Sequence, residues 1–129
     1  MSRLYHVAAE SLSGTTAQTH GMVRSAAISG ELTGAQHLWM GQTTVAPRAA
    51  SGPHHHGESE TAIYVVSGTP EFVYRQDGHE VHLRTKPGDY VFVPGFVPHL
   101  ESNAHSEDPA LVVLARTTQE AIVENLETL

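Results

Sequence analysis

Pro53-His54-His55-His56-Gly57-Glu58-Ser59-Glu60 puts three imidazoles and two carboxylates into one short stretch. In an extended segment alternate side chains share a face, so His54 and His56 point one way and His55 the other. Gly57 and Ser59 permit a turn, after which Glu60 can swing back towards the same point. Two neutral imidazoles and a carboxylate meeting there form a ligand set for a first-row divalent metal. The stretch is internal and runs at once into a β-type segment, which argues against a purification tag.

A second stretch, Pro87 to Asn103, reads Pro-Gly-Asp-Tyr-Val-Phe-Val-Pro-Gly-Phe-Val-Pro-His-Leu-Glu-Ser-Asn. A Pro-Gly turn leads into a short apolar strand, a second turn follows at Pro94-Gly95, and then comes His99. With both stretches in view the chain resembles the cupin superfamily. His54, His56, Glu60 and Gly68 match its first motif, G-x5-H-x-H-x3-or-4-E-x6-G. Gly88, Pro94, His99 and Asn103 match the second, G-x5-P-x-G-x2-H-x3-N. The resemblance covers residues 36–116 and implies that His54, His56, Glu60 and His99 are metal ligands.

Two departures bear on that ligand set. Glu60 and Gly68 are separated by one residue more than the motif has, and counting back from Gly68 puts Thr61 at the glutamate position. A one-residue slip turns a side chain to the other face. Either a bulge returns Glu60 to the site, or Gln42, His55 or water completes it. No clear glycine stands six places before His54, and the glycine of the second motif sits one place early, at Gly95, a minor variation at a turn.

The composition is consistent with a single small domain of 129 residues. A formal net charge of −7 and only seven scattered basic residues argue against a nucleic-acid partner. There is no cysteine, hence no disulfide framework and no thiolate nucleophile. No run is apolar enough to serve as a secretory core or to span a bilayer, so a cytoplasmic protein without a membrane partner is expected. Ten histidines are many for this length and fit metal binding. His6, His20, His37, His79 and His82 read as ordinary surface residues.

Along the chain, residues 1–21 read as an N-terminal arm with a short strand at Leu4–Val7 that pairs with a partner sheet, and the resemblance to cupins implies that such an arm crosses to a second subunit. Residues 22–117 read as the barrel. Met22–Ile28, Gln36–Val45, Ala62–Ser67, Glu71–Arg75, His79–Arg84, Tyr90–Val93, Val97–Ser102 and Ala110–Arg116 are its expected strands. Asp77-Gly78 between two β-type runs marks a hairpin. Either face of the Gln36–Val45 strand could line the barrel. Thr117 and Glu120 form a capping box, and Ile122, Val123, Leu126 and Leu129 fall on one helical stripe. Residues 118–129 are therefore expected to be a helix packed on the barrel.

The expected fold is all-β, a double-stranded β-helix or jelly-roll cupin barrel with a short C-terminal helix. Met40, Gln42, Tyr64, Phe72 and Phe92 are the expected lining of a substrate pocket, with Trp39, Tyr74 and Phe96 as further candidates. Glu101 shares a strand face with His99 and is the candidate catalytic acid or base, with Glu58 behind it. One divalent transition metal (Zn, Fe, Mn or Ni) is expected, in a homodimer acting on a small molecule. Because imidazoles ligate only when deprotonated, a histidine-built site is expected to lose its metal below about pH 6. The functions in view are a metal-dependent dioxygenase or isomerase/lyase, a cyclase of aromatic polyketides of the cupin type, and a non-catalytic binding module. The fold alone does not choose among them.

Overall fold

A computed structural model describes residues 3–129. Among the described residues ten strands form two five-stranded sheets. They are β1 (Met22–Ile28), β2 (Trp39–Val45), β3 (His54–His55), β4 (Thr61–Ser67), β5 (Glu71–Gln76), β6 (His79–Arg84), β7 (Tyr90–Val93), β8 (His99–Ser102), β9 (Ala110–Arg116) and β10 (Glu124–Asn125). The first sheet has the order β1-β2-β9-β4-β7 and the second β10-β3-β8-β5-β6. All pairings are antiparallel. This is a jelly-roll barrel, and its core lies between the sheets. Ile63, Val65, Val93 and Val112 of the first sheet pack against Phe72 of the second. A second apolar group, Met22, Val45 and Ala110, closes one end.

Two motif residues have structural work here. Gly68 has φ 81°, and a Cβ on it would lie 2.7 Å from the Ala110 Cα, so both conformation and space require glycine. Asn103 is buried, and its Nδ2 donates to the carbonyls of Ala46 (3.2 Å) and Asp108 (2.9 Å), tying the loop after β2 to the loop after β8. At the β5–β6 hairpin Asp77 and Gly78 have φ 52° and 79°, the pair of positive values that a two-residue turn needs.

Two expected elements take another form. Leu4–Val7 is not a strand, and Leu4 is 98% exposed. The tail is not a helix. Its only regular element is β10, which pairs with β3 through Glu124↔His55 and Asn125↔His54. A helix would use the tail's carbonyls internally, but they are taken by the barrel. Arg116 donates to the Thr118 and Gln119 carbonyls at 2.9 and 2.8 Å, and the Ile122 carbonyl is occupied by His56 at 2.8 Å. The Leu126 N–H donates to the Pro53 carbonyl. Thr117 does not cap; its Oγ1 accepts from the Glu60 N–H. A helix this short is marginal by itself, so these tertiary bonds prevail. Among the described residues no helix is long and apolar enough to cross a membrane.

Candidate metal centre and cavity

His54 stands directly opposite His99 in the β3–β8 register, and His56 follows one residue past the end of β3. Strand alternation then brings all three rings to one place. Ring centroids are 4.6 Å apart for His54 and His99, 4.8 Å for His54 and His56, and 5.0 Å for His56 and His99. One nitrogen from each lies within 4.8 Å of the others.

The second nitrogen of each ring shows what the first can do. His54 Nδ1 contacts the Gly52 carbonyl at 2.8 Å, His56 Nδ1 the Ile122 carbonyl at 2.8 Å, and His99 Nδ1 the Val97 carbonyl at 2.9 Å. A carbonyl only accepts, so Nδ1 carries the hydrogen and Nε2 keeps its lone pair. Metal-bound histidines are oriented in this way. Burial lowers the pKa of all three, and for His99, 7% exposed, it does so to about 4. Three imidazoles held neutral and in one tautomer could hold a divalent metal ion.

Glu60 is outside this group. The inward positions around it are Ser59 and Thr61, both buried, and Glu60 is exposed. A bulge does absorb the extra residue, but it falls at Val66, where Val65 pairs with Val112 and Ser67 with Leu111. It lies downstream of Thr61 and leaves the alternation at Glu60 unchanged, so Thr61 takes the inward place. His55 is also outside the group. Its Nδ1 accepts from the Gly57 N–H, and its ring lies 5.9 Å from that of Phe96.

The three rings open into a cavity of about 130 Å³ between the sheets. Of the expected pocket residues, Phe72 lines it. The others do not, because β2 turns Trp39, Gly41, Thr43 and Val45 inward, β4 turns Thr61, Ile63 and Val65 inward, and β7 turns Val93 inward. Met40 (38% exposed), Tyr64 (36%) and Phe92 (60%) are outward, and Gln42 lies on the same outward phase of β2 as Met40. Phe92 borders a separate apolar groove with Tyr74 and Leu83.

Glu101 does line the cavity, and its Oε1 is buried with no hydrogen-bond partner. Burial raises its pKa to about 7, against a smaller opposing pull from Arg24. Among the lining residues that the sequence reading did not single out are Arg24, Thr43 and Arg116. Arg24 pairs with Thr43 across β1–β2, and Arg116 pairs with Trp39 across β2–β9. The Arg116 guanidinium lies 4.1 Å over the Trp39 ring. The available signal was an arginine two places from apolar residues that the strand period turns inward, as Arg24 stands between Met22 and Ala26.

The sequence profile of the family Cupin_2, a cupin domain, matches residues 41–115. The chain is a cupin. No curated protein matches the sequence. Among solved structures, this cupin is similar to an oxalate decarboxylase of Lactobacillus farciminis in a formate complex. Identity is 17% and the TM-score 0.71, over 85% of this chain and 32% of that one. It is equally similar to Bacillus subtilis oxalate decarboxylase at pH 4.6, with 22% identity and a TM-score of 0.71 over 84% and 28%. A further structure of the Bacillus subtilis enzyme, also 22% identical with a TM-score of 0.71 over 84% and 29%, comes from work on its Mn(II) centres. At these identities the likeness is one of fold, and the cupin spans no more than 32% of the length of these enzymes.

Proposed function

We propose that this cupin is a metal-dependent enzyme of the cytoplasm acting on a small organic molecule, by dioxygenase or isomerase/lyase chemistry. The observation that carries this is the set of three imidazoles, each fixed through Nδ1, at the wall of a cavity that also holds the unpartnered Glu101 carboxyl. His54, His56 and His99 would hold the ion. A divalent metal there supplies Lewis-acid polarisation of a carbonyl or, when redox-active, oxygen chemistry. Glu101 is the acid/base group. It is two residues along β8 from His99 on the same face, and its Oε1 has no protein partner to occupy it.

The size of the cavity separates this reading from a cyclase of aromatic polyketides. About 130 Å³ is below the 300–1,000 Å³ usual for drug-sized ligands, which favours a small molecule over a polycyclic chain. The test is to load the protein with Mn, Fe, Zn or Ni in turn and follow oxygen uptake and product formation on small acids, phenols and 1,3-dicarbonyls. Turnover with one metal that is lost in Glu101→Gln supports the enzyme. Full metal occupancy without turnover on any of them favours a binding module.

A homodimer belongs to the same reading. Met40, Tyr64, Val66, Tyr90 and Phe92 are exposed on β2, β4 and β7, where a second copy would cover apolar surface. Sedimentation equilibrium on the wild type and on Tyr64→Glu tests it, with a monomeric wild type as the contrary result.

A further inference from the structure

We infer that the cavity takes a small carboxylate, held on the sheet facing the imidazoles by Arg24 and Thr43, with Arg116 beyond them. This names the substrate class for the enzyme proposed above and rests on that reading for the metal alone.

The argument begins with charge. The chain as a whole is acidic, at −7. The cavity is not: it is lined by two guanidiniums and one carboxyl. Even with Glu101 ionised the balance is positive, and a divalent ion on the histidines would raise it further. Among the described residues neither Arg24 nor Arg116 has a salt-bridge partner. Glu101 is the one opposing group in the cavity and cannot answer two guanidiniums; leaving charge inside a fold so under-compensated is costly, and a chain rich in carboxylates had many ways to avoid it.

The hydrogen bonds show what is left over. Arg116 spends Nε and Nη2 on the Thr118 and Gln119 carbonyls, which anchors the tail, and Arg24 spends Nη1 on the Ala17 carbonyl at 2.8 Å. Among the described residues no protein acceptor meets Nη1 of Arg116, or Nε and Nη2 of Arg24. Thr43 is a separate observation. It is 2% exposed, lines the cavity directly across the strand pair from Arg24, and its Oγ1 has no partner. A buried hydroxyl without a partner calls for an explanation. The free guanidinium N–H groups on one wall match the oxygens of a carboxylate, for which the planar guanidinium is the natural fork, and the Thr43 Oγ1, shut off from solvent as it stands, joins them when its side chain turns to the ligand. The cavity's size limits the occupant to a small acid.

Pyruvate, with neutral pyruvamide as its near-isostere, is a suitable probe pair. Calorimetry on the zinc-loaded and the metal-free protein would use wild type, Arg24→Gln and Thr43→Val, with metal content and circular dichroism read on each sample. Pyruvate should bind at least about tenfold more tightly than pyruvamide, from the strength of charge-assisted bonds. Arg24→Gln should weaken pyruvate by about 10- to 100-fold and Thr43→Val by severalfold, both with unchanged metal content. Equal binding of the two probes overturns the inference. So does wild-type affinity in a folded Arg24→Gln, or no pyruvate binding to a fully metal-loaded protein. Should Arg24→Gln fail to fold, pyruvamide and Thr43→Val decide. If no metal binds but pyruvate still binds with this dependence, the metal-enzyme reading fails and the carboxylate site stands.

Discussion

The two sheets enclose one cavity and furnish it in opposite ways. The sheet built on β3 and β8 brings groups that burial has made easier to keep neutral: His54, His56 and His99 with lowered pKa values, and Glu101 with a raised one. The sheet built on β1, β2 and β9 brings Arg24 and Arg116, which stay charged, since even Arg116, the more strongly lowered, comes down only to about 10. One wall has met the cost of desolvation by releasing or keeping protons. The other cannot, and depends on main-chain carbonyls and on whatever enters the cavity. The division suggests that metal binding belongs to the first wall and ligand charge recognition to the second.

The hardest blow to this division is at His99. His99→Ala removes one of three ligands, and metal affinity should fall by more than about 100-fold, beyond the 10–100-fold typical of losing a supporting partner. Equilibrium dialysis with elemental analysis measures it, and near-normal occupancy would remove His99 from the site. Acid should do the same later than ordinary imidazoles suggest. Burial holds all three imidazoles neutral to lower pH than free ones, His99 to about 4, so metal release is expected at a pH clearly below the value of about 6 that ordinary imidazoles would set.

The metal-free protein carries the comparison into stability. His99 binds fewer protons folded than unfolded between pH 4 and 6.5, so its contribution is complete above 6.5 and is lost as pH falls towards 4. Glu101 has the opposite sign. It binds more protons folded than unfolded between 4.5 and 7, so its contribution is complete below 4.5 and is lost as pH rises through 7. Glu101→Gln removes only the second effect. The variant should match wild type near pH 4 and gain up to about 3 kcal/mol above pH 7, from the free energy of a pKa shift of that size. Thermal melts across pH on metal-free samples read this out, and parallel curves for the two proteins would show that the carboxyl is solvated.

The same contrast explains what could be read from the sequence. The imidazoles of the first wall were legible because they rest on local spacing: His54 and His56 are two apart on an extended segment, and the turn at Pro94-Gly95 leads into His99. Glu60 was not, because its face depends on where the extra residue before Gly68 is absorbed, and the bulge at Val66 is a matter of pairing with β9. The second wall was illegible for a related reason. Both faces of β2 are part apolar, and only the structure shows that Trp39, Gly41 and Thr43 turn inward. Gly41 belongs to that inward face for a reason visible only in the fold, since a Cβ there would meet the Ser25 carbonyl oxygen of β1 and, at 2.8 Å, the Trp39 ring. The tail has a helical stripe, but the partners that override it are Arg116 and His56, remote in sequence.

The tail joins the walls, since Arg116 of one and His56 of the other both bond its carbonyls. A chain ending at Glu120 would lose the Ile122 carbonyl that orients His56 and the β10 pairing that flanks His54. Metal affinity should fall by about 10–100-fold while the fold persists, the usual result of removing a supporting hydrogen bond. Unchanged affinity would mean that His56 needs no help from the tail.

The smallest expected effect is at Thr43, and it separates a binding wall from a structural one. A hydroxyl that holds a fold together destabilises when removed. One that is buried without a partner has already lost its water, and Oγ1 of Thr43 is in that position. Thr43→Val keeps the β-branched shape and removes only that unmet group. The metal-free variant should therefore be as stable as wild type or more stable, by up to about 1 kcal/mol in denaturant titrations. A loss of about 1 kcal/mol or more would mean that the hydroxyl is bonded within the fold, and the second wall would then have one donor fewer to offer a ligand.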